Sequence, residues 1–166
     1  MPAGFLYGRT DPDADVAIVS QAKDLLETVG TFGCDLLISS PARRCRQTAE
    51  KLKEETGITI PLSTDDRLWE QDFGAWDGLA FNKIPDIGEL TTDELVDYKG
   101  HDGESFSDVC HRVWPCLQEL IDTYPDRKIC IVAHAGVLRA ASVFRSGRSM
   151  TEALMINPPP LGLLRF

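Results

Sequence analysis

Twice in this chain a short, nearly continuous apolar run ends and turns at once into helical periodicity. The first is Cys34-Asp35-Leu36-Leu37-Ile38, followed by Ser39-Ser40-Pro41; the second is Lys128-Ile129-Cys130-Ile131-Val132-Ala133-His134, followed by Ala135-Gly136-Val137-Leu138-Arg139. Runs this short and this apolar fit strands covered on both faces, as a parallel sheet requires. Alternation of helix and strand over most of the length then predicts an α/β protein: a three-layer α/β/α sandwich with a largely parallel sheet.

The remaining elements follow from spacing. Val16, Val19, Ala22, Leu25, Leu26 and Val29 recur at steps of three and four, predicting one amphipathic helix that Gly30 ends. Ser39-Ser40-Pro41 offers cap residues and a first-turn proline for a helix running to about Glu55, which Gly57 stops. Ile58–Leu62 reads as a second strand, closing a β-α-β unit. Between Thr64 and Gly103 turn formers dominate, and we expect long functional connections with one or two short helices. Phe106, Val109, Val113, Leu117, Leu120 and Ile121 mark a long helix from Ser105, with Pro115 as a kink or a fresh start. Leu161–Phe166 reads as a last short strand.

Composition narrows the class. The 166 residues suit one domain spanning 1–166, and 43% hydrophobic content is too high for a disordered chain. Twenty-six acidic against 17 basic residues give a net charge of −9, which disfavours nucleic acid and anionic membranes as partners. No apolar run approaches the roughly 18 residues of a membrane span, and the opening residues lack a charged-then-apolar signal pattern, so a cytoplasmic protein is expected. Five cysteines, an odd number with no C-x-x-C pair, predict reduced and mostly buried thiols rather than a disulfide framework or a zinc knuckle.

In parallel sheets, the carboxyl ends of strands line the ligand crevice, which directs attention to both junctions. Arg43, Arg44 and Arg46 stand in the opening turns of a helix, where the dipole disfavours each cation by a few tenths to about 1 kcal/mol. An anion should compensate, and a phosphate suits helix amides and a guanidinium fork. Solvation or pairing with Glu50 is the stronger reading for Arg43 and Arg46; Arg44 is the preferred phosphate ligand. His134 ends a buried strand beside free helix amides and should project into the crevice, a setting that His101 and His111 lack. From Leu68 to Gly78 carboxylates alternate with aromatics, where desolvation can raise an acid's pKa. Composition alone does not separate Glu70 from an ordinary turn former.

Rival chemistries fail on spacing. No cysteine has an arginine six positions later, and G-x-x-x-x-G-K-[ST], G-x-G-x-x-G and H-E-x-x-H are all absent. Asp11-Pro12-Asp13 follows a turn rather than an apolar strand, and His101-Asp102 lacks the further partners of a metal dyad. Neither a metal nor a cofactor is expected.

In order, Ser39-Ser40-Pro41-Ala42-Arg43-Arg44-Cys45-Arg46-Gln47-Thr48-Ala49, Glu70 to Gly78, Gly103-Glu104-Ser105 and Val132-Ala133-His134-Ala135-Gly136-Val137-Leu138-Arg139 resemble four motifs of the histidine phosphatase, or phosphoglycerate-mutase-like, superfamily. Tyr7-Gly8-Arg9-Thr10-Asp11 is similar to its α-ribazole phosphatase branch, a cobalamin-pathway activity. The resemblance implies a metal-free phosphomonoesterase acting on a small phosphorylated metabolite through a phosphohistidine, and it admits a homodimer. It implies Glu70 as the acid, Arg44 as a phosphate clamp, His134 as a second donor to the phosphoryl oxygens, and Arg9 with Thr10 at the entrance. The family's Arg-His-Gly or Arg-His-Thr triplet, which carries the nucleophile at the end of the first central strand, has no counterpart here. Met1-Pro2-Ala3-Gly4 looks like the loop after it, so an incomplete N-terminus lacking that strand is expected, ahead of a natural inactive form. A non-catalytic phosphate-binding module is the alternative. Mutase-type phosphotransfer ranks lower, because Ala80–Gly103 offers few basic groups.

Overall fold

The computed structural model describes residues 4–165. Strands β1 (Leu36–Ser39), β2 (Leu62–Thr64) and β3 (Ile129–Val132) form a fully parallel sheet in the order β2-β1-β3, with Leu37 opposite both Leu62 and Cys130. Alternate residues feed two helical layers. On one face Ile38, Ile129 and Ile131 pack with α5 (Phe106–Thr123), α6 (Ala135–Ser146) and α7 (Met150–Leu154), around Phe106, Val109, Val113, Val137 and Ala140. On the other, Cys130 and Val132 pack with Val19, Val29 and Leu52 from α1 (Ala17–Gln21), α2 (Lys23–Phe32) and α3 (Arg43–Thr56). The three-layer sandwich is therefore present, around a small sheet.

Several elements differ from the expectation. The helix over 16–29 is two helices, because Ala22 leaves the helical region at φ −82°, ψ 64°. Gly30 lies inside α2, which ends instead at Gly33, whose φ of +68° suits a residue without a side chain. The strand placed at Ile58–Leu62 begins only at Leu62: Pro61 has no N–H to donate, and Ile58 packs into the α2–α3 cluster. Ser39, Ser40 and Pro41 precede α3 rather than opening it, and Ala42 stands at the cap position without a side chain to fill it. No strand forms after Leu161 among the described residues; Gly162 turns back onto the Pro159 carbonyl at 2.8 Å, and Phe166 lies outside the described residues, as do Met1, Pro2 and Ala3.

The long helix is as expected. Ser105 caps α5 in a reciprocal box with Asp108, and Pro115 is carried inside it. The segment from Asp65 to Asp97 holds three single 3₁₀ turns and α4 (Thr92–Asp97). Gly74, at φ +54°, lies so close to the His101 carbonyl that a Cβ would collide with it, so the loops around 70–78 and 100–104 can meet only through glycine. Strand β3 was expected to be buried, yet all four of its residues are only half-buried. It pairs with β1 on one edge and with no strand among the described residues on the other.

All five cysteines are free thiols; Cys45, Cys110 and Cys116 are buried, while Cys34 and Cys130 are half-buried. No helix among the described residues is long and apolar enough to cross a membrane.

Leu68, fully buried, joins the connection preceding Glu70 to the α5–α6 core. Leu68→Ala should lower unfolding stability by about 2–5 kcal/mol in urea titrations, the range for a buried leucine that leaves a cavity.

Candidate active site

The site is assembled where β1 and β3 end. His134 is the cap residue of α6, extended at φ −114°, ψ 169°, so its ring turns back over the sheet's carboxyl edge. His134 is 8% exposed. Nε2 lies 2.8 Å from Ser40 Oγ at the end of β1, Cys45 Sγ is 3.5 Å from Nε2, and Trp69 lies nearly parallel, 7° between planes. Burial, helped by the positive charges of Arg44, Arg112 and Arg9, pushes the imidazole pKa down to about 3. At neutral pH His134 is therefore an uncharged ring with one N–H to donate.

Glu70 approaches the same helix end. Its carboxylate accepts from the Gly136 amide at 3.2 Å, in the first turn of α6, and from the Gln71 amide at 2.9 Å. A Cβ at position 136 would overlap Glu70 Oε1, so this approach requires glycine. Burial raises the carboxyl pKa, against the opposing pull of the Gln71 and Gly136 amides and of Arg44 and Arg139. The group is set to hold its proton above the usual glutamate range.

Arg44 stands in the first turn of α3 and is 5% exposed. Its guanidinium donates to the carbonyls of Thr10 (2.8 Å) and Gly8 (2.9 Å) and to Asp11 Oδ1 (3.3 Å). The anion required at this basic helix start is Asp11, not a phosphate: its carboxylate accepts from the amides of Arg43 (2.6 Å) and Arg44 (3.3 Å) and so caps α3 from a distant loop. Arg43 and Arg46 are exposed, and Arg43 pairs with Asp13 at 3.1 Å.

Arg44, Glu70 and His134 line one cavity of about 410 Å³, with Cys45 and Tyr7 beside them. The side chains of Arg9 and Thr10 do not line it. Arg9 lies over the Trp69 ring at 5.2 Å and pairs with Asp72 (3.6 Å) and Glu104 (3.9 Å), at the rim of the same region. Thr10 acts through its backbone, its carbonyl on Arg44 and its amide on Asp77 Oδ2. His101 and His111 are exposed, one paired with Asp102 and the other edge-on to Trp114. No group of three or more His, Cys, Asp or Glu side chains among the described residues is arranged to hold a metal ion.

Sequence reasoning missed Ser40, Cys45, Trp69 and Arg112. It gave Asp11 no part in holding Arg44 or capping α3. Local patterns carry no signal for contacts such as Asp11–Arg43, 32 positions apart, or His134–Ser40, 94 apart.

Two titrations check this electrostatic setting. The His134 ring resonances should not shift with pH between 8 and 5 in NMR spectra. Because its pKa is depressed from 6.5 in the folded state, the stability it contributes is complete above that value and declines as pH falls towards 3. Glu70, with a raised pKa, contributes the opposite dependence: complete below about 4.5 and lost as pH rises through the folded value. Glu70→Gln should therefore gain stability relative to the unaltered protein between pH 5 and 8 in thermal melts.

Comparison with known proteins bears directly on this geometry. The family profile of the histidine phosphatase superfamily (branch 1) matches residues 3–163. A glucosyl-3-phosphoglycerate phosphatase of Mycobacterium tuberculosis is 31% identical over 168 residues, spanning 95% of this chain and 72% of that protein. Phosphoserine phosphatase 1 of Hydrogenobacter thermophilus is 29% identical over 145 residues, 84% of this chain and 67% of its own length. The structure of the mycobacterial glucosyl-3-phosphoglycerate phosphatase with VO3 superposes at a TM-score of 0.78 and 29% identity, over 93% of this chain and 78% of that one. These relatives are named for substrates other than α-ribazole phosphate. A profile match over nearly the whole chain, on a fold that places Arg44, Glu70 and His134 around one cavity, establishes that the chain belongs to the histidine phosphatase superfamily.

Proposed function

We propose that this chain forms the phosphoryl-binding and proton-donating part of a phosphomonoesterase that works through a phosphohistidine. The observation that carries the reading is the convergence of Arg44, His134 and Glu70 on one cavity beside the N-terminus of α6. A neutral His134 donates its N–H to a phosphoryl oxygen, and Arg44 neutralises charge there with guanidinium protons not taken up by the 8–11 loop. A protonated Glu70 gives its proton to the leaving oxygen as the P–O bond breaks.

The attacking imidazole is the remaining part. We place it on a strand laid along the outer edge of β3, ending next to His134. The half-buried side chains of β3 and its outer edge, which no strand among the described residues pairs, support this placement, as does the way the cavity runs along Cys130, Ile131 and Val132. The imidazole lone pair attacks phosphorus and the ester oxygen leaves with Glu70's proton. Water then attacks the phosphohistidine, gives its proton to the Glu70 carboxylate, and phosphate departs.

The relatives named above narrow the substrate class. Phosphoserine and the glycerate part of glucosyl-3-phosphoglycerate are both three-carbon acids phosphorylated at carbon 3. We assign this chain a small phosphomonoester of that kind, with Arg9 at the rim as the cation that meets the carboxylate.

The test adds an N-terminal segment of four or five apolar residues ending in Arg-His-Gly and measures release of phosphate from phosphoserine and from p-nitrophenyl phosphate. Turnover is expected to fall about 10²-fold or more in Arg44→Ala and His134→Ala. Glu70→Gln should fall about 10²- to 10⁴-fold on phosphoserine yet much less on p-nitrophenyl phosphate, whose leaving group needs no proton. No turnover, or turnover indifferent to His134→Ala, would reject the reading.

A further inference from the structure

The acid-bearing segment has no regular structure of its own: residues 70–73 lie between two 3₁₀ turns, outside any helix or strand. Their carbonyls and amides have no ladder to join, and something else must hold Glu70 against α6. The side chain that does so is Arg112, on α5 and 18% exposed. Its Nε donates to Glu104 Oε1 (2.8 Å). One terminal nitrogen donates to the carbonyls of Arg67 (2.7 Å) and Trp69 (2.8 Å), and the other to the Glu70 carbonyl (3.0 Å) and Glu104 Oε2 (2.9 Å). A guanidinium has five N–H donors, and here each has an acceptor.

Glu104 grips the other side of the acid. Its Oε2 also accepts from the Asp72 amide (2.9 Å), its own amide donates to the Asp72 carbonyl (2.7 Å), and its carbonyl accepts from Gln71 Nε2 (2.8 Å). Burial would push the Glu104 carboxyl pKa up, but Arg112, the Asp72 amide and Arg9 outweigh it and hold the group ionised. The main chain is thus tied at 67, 69 and 70 by Arg112 and at 72 by Glu104, with Glu70 between the ties.

We propose that Arg112 is a positioning residue for Glu70: paired with Glu104, it clamps the backbone on both sides of the acid and sets the carboxyl against the first turn of α6. With all five donors committed to the protein, it has none left for substrate, and its hydrogen bonds bear on the site through Glu70. The fork is what matters. A lysine keeps the charge but has three donors on one nitrogen and cannot reach five acceptors in a plane. The proposal rests on Glu70 being the acid, but its test needs no turnover.

The test follows Glu70 ionisation by carbon-13 NMR of labelled glutamate carboxyls, assigned with Glu70→Gln, together with exchange of the Gly136 amide. That amide stands in the first helical turn, without an intrahelical acceptor, so its protection reports the Glu70 contact. In Arg112→Lys the Glu70 midpoint should fall by about one pH unit or more towards the ordinary glutamate range as the carboxyl becomes solvated. Gly136 exchange should accelerate about tenfold or more. The charges facing Glu70 from α3 and α6, Arg44 and Arg139, are unchanged in this variant. Added methylguanidinium should reverse both effects in Arg112→Ala. Val113→Ala, next to it on α5 and fully buried, should lower thermal stability without moving either readout. Glu104→Gln, which keeps the side chain's shape, should shift both in the same direction and decides the matter if Arg112→Lys does not fold. Glu70 titration and Gly136 exchange unaltered in the folded variants would overturn the proposal. Loss of both in Val113→Ala would also overturn it, by showing that they follow stability alone. Failure of the extended chain to hydrolyse phosphomonoesters would remove the functional reading and leave this result standing.

Discussion

Everything at the site depends on the parallel pairing of β1 with β3. The register sets Ser39 beside Val132, and the ladder continues one step further when the Ser40 amide donates to the Val132 carbonyl at 2.9 Å. Because parallel strands end at the same side of the sheet, the helices that follow them start side by side, with Asp11 on the first amides of α3 and Glu70 on the Gly136 amide of α6. Ser40 and His134, 94 positions apart in sequence, meet at 2.8 Å for that reason alone. Antiparallel pairing of the same two strands would have put their helix starts at opposite ends of the sheet.

A net charge of −9 disfavours a site for a phosphoryl group only if it is spread evenly, and here it is not. Arg9, Arg44 and Arg112 are the three cations that act on His134, and their summed field helps to keep that ring neutral. Each is held by carboxylates or carbonyls of the protein: Arg44 by Asp11 and the 8–10 backbone, Arg112 by Glu104 and the acid loop, Arg9 by Asp72 and Glu104. Arg44, the buried one of the three, needs such partners, since an unpaired charge in its setting would cost several kcal/mol. The same partners position the cations, so the cost of burying the charge and the geometry of the site have a common origin.

How much of this could be read in advance follows from the range of the interactions. The β1–α3 and β3–α6 junctions were legible because a strand, a cap region and a helix are local patterns, and the apolar run up to His134 named its own crevice. Glu70 was not separable from a turn former by composition; its distinction is burial against Gly136, a contact 66 residues away. The α3 cap was misplaced because the Ser-Ser-Pro signal is local while the carboxylate that fills it, Asp11, comes from 32 residues upstream. Likewise Ile58–Leu62 has the composition of a strand, but one missing N–H at Pro61 delays pairing to Leu62. Periodicity reports which face a residue takes, and says nothing of which distant side chain meets it there.

The central claim is that the Arg44 guanidinium and the His134 imidazole, brought together from two junctions, line one anion cavity. Calorimetric titration with inorganic phosphate at pH 6 tests it most directly. The account predicts saturable one-to-one binding that Arg44→Ala and His134→Ala each weaken by about tenfold or more, the value of one charge-assisted hydrogen bond. Binding that neither substitution changes, or none at all, would contradict it.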